Sequence, residues 1–348
     1  MVNKFIKTLK PYVAGEQLGI SGLIKLNTNE NAYPPSNAVD IVFNGFDKEL
    51  LRKYPDPEST GLKKAIAEFE GVSEKNIFVG NGSDEVLGFA FKALFNKSVA
   101  YNNITYSFYP VYADLFELKK TEIKLKDDFK VDFGEFNKIS RKIGGIVFCN
   151  PNAPTSISES ADDILAVVKN VSCSVICDEA YIDFSTKSKS LASEAVKLQN
   201  LLVVKTFSKS YSLAGMRCGY AVGGEMLINA LSTVKNCFNS YPIDAVCERI
   251  TIAALKDRKY FDTITNKIIA TRERVIGELK LKGHTVLDSD ANFIFVKHKS
   301  LGGEVVYKNL KQQNILVRHF AKNVLTAPFV RVTIGTDKDM DKFLEAFA

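Results

Sequence analysis

Thr206-Phe-Ser-Lys209-Ser-Tyr-Ser-Leu-Ala-Gly-Met-Arg217 is the stretch from which the rest of the chain can be read. It follows Leu201-Leu-Val-Val204, a short continuous apolar run rich in β-branched residues, which reads as a buried strand. Past the end of that strand stands one lysine, with two hydroxyls just before it and an arginine eight residues on. A lysine amine can condense with an aldehyde. Thr206, Ser208 and Arg217 can hold a phosphate beside it, since hydroxyls donate to its oxygens and a guanidinium grips them through parallel hydrogen bonds. A group carrying both an aldehyde and a phosphate would satisfy the two halves of the segment.

Working outward, Asp178-Glu-Ala-Tyr181 follows another strand-like run, Ser174-Val-Ile-Cys177. A carboxylate at the C-terminal end of a parallel strand sits where open α/β sheets bind ligands. Pyridoxal 5'-phosphate (PLP) needs a protonated ring nitrogen, and a buried carboxylate keeps it protonated. Asp178 is placed for that task, although the same residue can equally cap a following helix. Gly80-Asn-Gly-Ser-Asp84 is a glycine-containing turn between the strand Asn76–Val79 and a helical run from Glu85 to about Phe95, so its amides and helix dipole make an anion site. Asn150-Pro-Asn-Ala-Pro-Thr-Ser156 follows the strand Ile146–Cys149, and its prolines impose an extended path. Thr105-Tyr106-Ser-Phe-Tyr109 offers aromatics after a strand near Val99–Tyr101, one of which can stack on a flat ring. For Tyr109 and Tyr112, core packing is the better reading.

Short strands separated by amphipathic stretches such as Asp162–Lys169 predict an α/β fold with a mostly parallel sheet. After about Asn239 the texture changes. Helical patterns at 245–254, 263–279, 303–313 and 337–347 surround strand patterns at 292–296, 315–317 and 330–334, which predicts a smaller α+β domain. The expected division is an N-terminal arm at 1–30 packing with the small domain, a large domain at 31–239 and a small domain at 240–348. The length of 348 residues suits about two domains.

Composition narrows the classes. Apolar residues make up 46% and charged residues 25%, ordinary values for a globular protein. The net charge of +6 comes from 46 basic and 40 acidic residues spread along the chain, with no basic stripe, so nucleic acid is not an expected partner. Mild attraction to phosphorylated small molecules fits the same balance. Met1–Tyr12 lacks the apolar core of a signal peptide, and no run approaches membrane-spanning length. The six cysteines lack a C-x-x-C and read as free thiols of a reducing, cytoplasmic compartment. The three histidines are too scattered for a zinc signature, and no metal is expected.

Six ordered motifs together resemble the fold-type I PLP-dependent aminotransferases of class II, and among them the histidinol-phosphate aminotransferase family. They are Leu26-Asn-Thr-Asn-Glu30-Asn, Arg52-Lys-Tyr54-Pro-Asp, Gly80-Asn-Gly-Ser-Asp-Glu85, Asp178-Glu-Ala-Tyr181, Thr206-Phe-Ser-Lys209 with Leu213-Ala-Gly-Met-Arg217, and Val330-Arg331-Val-Thr-Ile-Gly-Thr336. The resemblance implies the cofactor PLP and an exchange of an amino group between L-histidinol phosphate and 2-oxoglutarate, with glutamate as the product, in histidine biosynthesis. It implies that Lys209 bonds the cofactor aldehyde and moves the substrate proton. Asp178 then pairs with the ring nitrogen, Tyr181 bonds the phenolic oxygen and Tyr106 stacks on the ring. Thr206, Ser208, Arg217 and the amides of Ser83 and Asp84 hold the cofactor phosphate. Tyr54 reaches that phosphate from the other subunit of a homodimer.

For the substrate, the resemblance implies Arg331 at the acidic group and Arg318 at the phosphate, with Tyr12 and Asn29 closing over them. The chain departs from the family at Ala153, where an asparagine usually bonds the phenolic oxygen, and at Ser156, which is usually glycine. Asn152, next door, is the candidate substitute. Loss of that bond changes the proton affinity of the lysine–cofactor linkage, since a hydrogen bond to one charge form shifts the equilibrium. Sister families with other substrates, a threonine-phosphate decarboxylase or an aromatic amino acid aminotransferase, share most of these motifs.

Overall fold

The computed structural model describes residues 1–139 and 142–348. Among these residues thirteen strands follow one another: β1 (Ile24–Lys25), β2 (Ile77–Gly80), β3 (Ser98–Asn102), β4 (Lys119–Ile123), β5 (Gly145–Cys149), β6 (Ser174–Asp178), β7 (Leu201–Thr206), β8 (Gly219–Gly223), β9 (Thr285–Val286), β10 (Phe293–Lys297), β11 (Ile315–Leu316), β12 (Arg318–His319) and β13 (Phe329–Thr333). Seven of them form the main sheet, in the order β2-β8-β7-β6-β5-β3-β4. Only β8 runs against its neighbours β2 and β7. The other contacts in this sheet are parallel.

Every residue of β2, β5, β7 and β8 is buried, as a sheet covered by helices on both faces requires. Alternate residues feed two separate cores. Ile146, Phe148, Val175, Cys177 and Val203 join one, while Val147, Cys149, Ile176, Leu202 and Val204 join the other. The edge strand β4, Lys-Lys-Thr-Glu-Ile, is largely exposed and charged, which discourages pairing with another chain.

A four-stranded sheet, β12-β13-β10-β9, carries a third core together with the helices Gly303–Gln312 and Asp337–Ala346. The N-terminal segment lies with this layer, because β1 pairs in parallel with β11. The helices that follow the expected 239/240 division contribute to both layers. The helix Ala245–Lys256 buries Cys247, Ile250, Ala254 and Leu255 in the same core as Leu62 and Ile66 of the helix Thr60–Glu70. The next helix, Arg258–Leu281, starts in that core at Phe261 and continues into the third core at Ile268, Val275 and Leu279. Its 24 residues span about 36 Å, enough to bridge both layers. Among the described residues, no helix is long and apolar enough to cross a membrane.

Candidate active site

The strands place the site. β2, β5, β6 and β7 end at one edge of the sheet, and the antiparallel β8 begins there, with Gly219 between Gly80 and Thr206. Cys149 and Asp178 lie side by side at the ends of β5 and β6. All the sequence candidates except Tyr54 and Asn152 line one cavity of about 300 Å³ at this edge.

One wall is a cup for an anion. The helix Gly82–Leu94 starts directly after β2, and no side chain caps its first amides. Those N–H groups and the helix dipole favour negative charge. Two glycines let the backbone close in. Gly82 has φ +80°, and a Cβ there would lie 2.5 Å from Arg217 Nη2; a Cβ on Gly219 would lie 2.4 Å from the Ser83 nitrogen. Arg217 itself is held at φ +52°, a left-handed conformation that costs a non-glycine residue about 1–3 kcal/mol. Its Nη1 donates to the Ala214 carbonyl at 3.1 Å and reaches Ser208 Oγ at 3.5 Å. Thr206 Oγ1 donates to Ser208 Oγ at 3.0 Å and accepts from the Ser208 amide at 3.1 Å. The Asp84 carboxylate turns aside, accepting from Tyr106 Oη at 2.8 Å and lying 3.7 Å from Arg217 Nη2.

The opposite end of the cavity carries the amine and the acid. Lys209 Nζ donates to the Thr28 carbonyl at 3.2 Å and lies 5.8 Å from the Tyr181 ring centre. Burial, helped by the Arg331 charge, pushes its pKa down to about 8. Its segment is held from behind: Asn31 Nδ2 donates to the Lys209 carbonyl at 2.9 Å, and Ser210 Oγ donates to Asp183 at 2.6 Å. Burial pushes Asp178 up to about 6, against the downward pull of hydrogen bonds from Tyr109 Oη (2.8 Å) and the Ala180 amide (3.2 Å). Tyr181 Oη accepts from Asn29 Nδ2 at 3.0 Å, and burial raises this phenol above its ordinary range.

Two arginines close the cavity on the side of the small sheet. Arg318 and Arg331 are register partners on β12 and β13. Arg331 Nη2 donates to the Asn27 carbonyl at 2.8 Å, while its buried Nε has no partner. The guanidinium lies 5.3 Å from the Phe293 ring centre and 5.5 Å from that of Phe320. Arg318 reaches the carbonyls of Val13 and Ala14 at 3.3 and 3.4 Å, which ties it to the N-terminal arm. On that arm, Tyr12 packs against Phe108 with ring centres 4.8 Å apart. Asn29, at φ +55°, is fixed by its amide to Thr333 Oγ1 at 3.0 Å.

Two candidates lie elsewhere. Asn152 is buried within its own loop. Its Nδ2 donates to the Ile104 carbonyl and Thr155 Oγ1, and its Oδ1 accepts from Thr105, so the side chain has no group left for the cavity. The loop is not the extended path its prolines suggested: residues 153–155 form a turn, closed by the Ser156 amide on the Asn152 carbonyl at 2.7 Å, and Ala153 joins the core that holds Cys149 and Tyr181. Tyr54 is 84% exposed and stacks on Tyr241, ring centres 4.8 Å apart, outside its own cavity. The sequence reading also missed three contributors: Tyr109 bonded to Asp178, Cys149 at the end of β5, and Glu30, which lines the cavity and is paired with Lys25. The position of Cys149 and Glu30 within or beside quoted motifs was the available signal.

The sequence model of the family "Aminotransferase class I and II" matches residues 21–347. The histidinol-phosphate aminotransferase of Brachyspira hyodysenteriae is 47% identical over 344 residues, covering 97% of this chain and 95% of its own. That of Clostridium acetobutylicum is 47% identical over 350 residues, covering 99% and 97%. The solved histidinol-phosphate aminotransferase of Sinorhizobium meliloti, a complex with pyridoxal-5'-phosphate, superposes with a TM-score of 0.89 at 23% identity, covering 99% of this chain and 96% of that one. With likeness in sequence and in fold both running the length of the molecule, the chain belongs to the class I and II aminotransferases, alongside the histidinol-phosphate aminotransferases.

Proposed function

We propose that this protein is a PLP-dependent aminotransferase that exchanges an amino group between L-histidinol phosphate and 2-oxoglutarate, giving imidazole-acetol phosphate and L-glutamate in histidine biosynthesis, in the cytoplasm. The carrying observation is that one cavity joins a helix-N-terminal anion cup, an amine, a buried carboxylate and two arginines. The residues suit the cofactor on structural grounds: the missing side chain at Gly82 lets the Arg217 guanidinium approach the start of the helix, and the first helical amides have no side-chain cap. Thr206, Ser208, Arg217 and the amides of Ser83 and Asp84 would hold the phosphate, Asp178 the ring nitrogen, and Tyr181 the phenolic oxygen. Tyr106 would flank the ring.

When bound, PLP supplies an electron-withdrawing ring that stabilises the negative charge left on the substrate when its Cα proton departs. The protein's own part is proton handling and positioning. Lys209 Nζ, with its pKa brought down to about 8, is a free base in a useful fraction near neutral pH and can take the Cα proton. The same amine would hold that proton in the cavity and return it when the exchange is completed. Tyr12 and Gly15 line the cavity and Arg318 holds the Val13 and Ala14 carbonyls beside it, so this arm is placed to cover the mouth and restrict water once substrate is bound.

One site must accept the phosphate of histidinol phosphate and the carboxylates of glutamate in turn, which explains two fixed guanidinium groups. Arg318→Ala is expected to lower kcat/KM for histidinol phosphate by about 10- to 100-fold, the worth of a charge-assisted contact, with a much smaller change for glutamate. Steady-state kinetics with each donor checks this, and equal losses would count against the assignment.

The surface supports a homodimer with shared sites. Ile41, Phe43, Leu51, Tyr54 and Phe238 are each more than half exposed, and Tyr54 stacks on Tyr241, which is apolar surface that a partner subunit would cover. In this reading Tyr54 reaches the phosphate cup of the second subunit. Light scattering at micromolar concentration should give twice the 38.6 kDa chain mass; a monomer would exclude the shared site.

The deciding experiment is a half-reaction. L-Histidinol phosphate is added to the PLP-loaded protein without any keto acid, and the absorbance of the bound cofactor is followed. Conversion to the pyridoxamine phosphate spectrum, with release of imidazole-acetol phosphate, supports the proposal. No conversion, while L-threonine phosphate releases carbon dioxide or phenylalanine converts the spectrum, would move the activity to a sister family.

A further inference from the structure

Three tyrosines at a three-residue spacing, Tyr106, Tyr109 and Tyr112, reach the site wall from the start of the helix Tyr109–Leu115 and the turn before it. Tyr106 and Tyr112 both bond Asp84, the first through the carboxylate at 2.8 Å and the second through the main-chain carbonyl at 2.6 Å. Tyr109 does something different. It is fully buried, it packs beside Phe91, Tyr101 and the edge of Tyr106, and its hydroxyl donates to Asp178 Oδ2 at 2.8 Å. The other oxygen, Oδ1, accepts the Ala180 amide at 3.2 Å. Each carboxylate oxygen is therefore held by one protein donor.

We propose that Tyr109 is a positioning residue for the reaction, fixing the Asp178 carboxylate toward the cavity and keeping it ionised. The role rests on the PLP reading above, in which Asp178 faces the ring nitrogen. A buried carboxylate with too little compensation takes up a proton and can no longer hold a cation. The groups facing Asp178 are few. Cys149 lies beside it on β5, Cys177 precedes it on β6, Tyr112 lies on the helix Tyr109–Leu115, Asp84 on the helix Gly82–Leu94, Lys209 beyond β7, and Tyr181 further along its own segment. Burial and Asp84 push Asp178 up, and Lys209 pulls it down only weakly. Glu179, its neighbour in sequence, is turned away to Ser190 and the Leu191 amide. The Tyr109 hydroxyl is thus the main side-chain support of the charged form. Its loss shifts the balance toward the neutral acid, so the sign is upward.

The test is an infrared titration of the carboxyl stretch in the cofactor-free protein, with the Asp178 band assigned by its loss in Asp178→Asn. The native midpoint should lie near pH 6. Tyr109→Phe should raise it by about one unit, the worth of a charge-assisted hydrogen bond. Tyr112→Phe removes a hydroxyl of the same aromatic cluster that is bonded to Asp84 instead, and should leave the midpoint in place. Should Tyr109→Phe not fold, 3-fluorotyrosine at position 109, a stronger donor that keeps the ring and its hydroxyl, should move the midpoint down. An unchanged midpoint in both Tyr109 variants, or equal shifts for Tyr109→Phe and Tyr112→Phe, would overturn the proposal. PLP uptake by the native protein is measured alongside; its failure would sink the cofactor reading and leave the titration result standing by itself.

Discussion

Lys209→Ala is expected to abolish amino-group exchange, lowering kcat by at least about 10⁴-fold, the upper range for a positioned acid–base group. Among the described residues no other lysine lines the cavity: Lys205, four residues earlier, is buried against Glu70 instead. The alanine variant should still fold, because Lys209 Nζ has a single weak partner, the Thr28 carbonyl, and its removal orphans no charge. It should even melt higher than the native protein when both are free of cofactor. The folded state lowers this lysine to about 8 from 10.5, so the unfolded chain binds the proton more tightly. Below about pH 8 both states are protonated and the full cost of burying the ammonium is present. Between about 8 and 10.5 the unfolded state holds more protons, stability of the native protein rises with pH, and the cost disappears. The gap in melting temperature between variant and native protein should therefore be widest below pH 8 and shrink through pH 10.5. The half-reaction and a pair of melting curves check both parts. Residual turnover within about a hundredfold of native would remove Lys209 from the base role.

This central chemistry was legible in sequence for a topological reason. In a parallel sheet the strands end at one edge, so a polar residue just past an apolar run is aimed at the ligand side. Lys209, Asp178 and the Gly80–Asp84 turn all follow that pattern. Tyr109 does not, because a buried tyrosine ring reads as core and its single polar atom declares itself only when the partner is seen across the fold. Asn152 failed for the converse reason: its residue type suited the site, but the loop consumed its hydrogen bonds. Two strands of the main sheet also escaped notice. β8, Gly-Tyr-Ala-Val-Gly, is bracketed by glycines that read as turns, though Gly219 is required by the close approach of Ser83. β4 carries the charges of an edge strand and so lacks an apolar run.

Arg331→Ala should cost the most on the substrate side, about 10²- to 10³-fold in kcat/KM for glutamate, as truncating one partner of a buried charge pair does. Arg331 is prepared for an anion that the protein itself does not supply. Nη2 is anchored to Asn27, the faces of Phe293 and Phe320 flank the guanidinium, and the buried Nε has no partner. Burial pulls its pKa down, which marks a charge held out of water without full compensation. A carboxylate would complete it through two parallel bonds, a geometry that lysine cannot reproduce, so Arg331→Lys should recover little. The variant carries a second signature away from turnover. The Arg331 charge helps depress Lys209, so its removal should raise the Lys209 pKa above about 8 and displace the pH midpoint of PLP uptake upward. Steady-state kinetics with glutamate and a pH series of cofactor binding measure the two effects separately. A loss below about tenfold, or full recovery with lysine, would mean that the substrate carboxylate sits elsewhere; a loss without any shift in the midpoint would break the electrostatic link between the two residues while leaving the binding role intact.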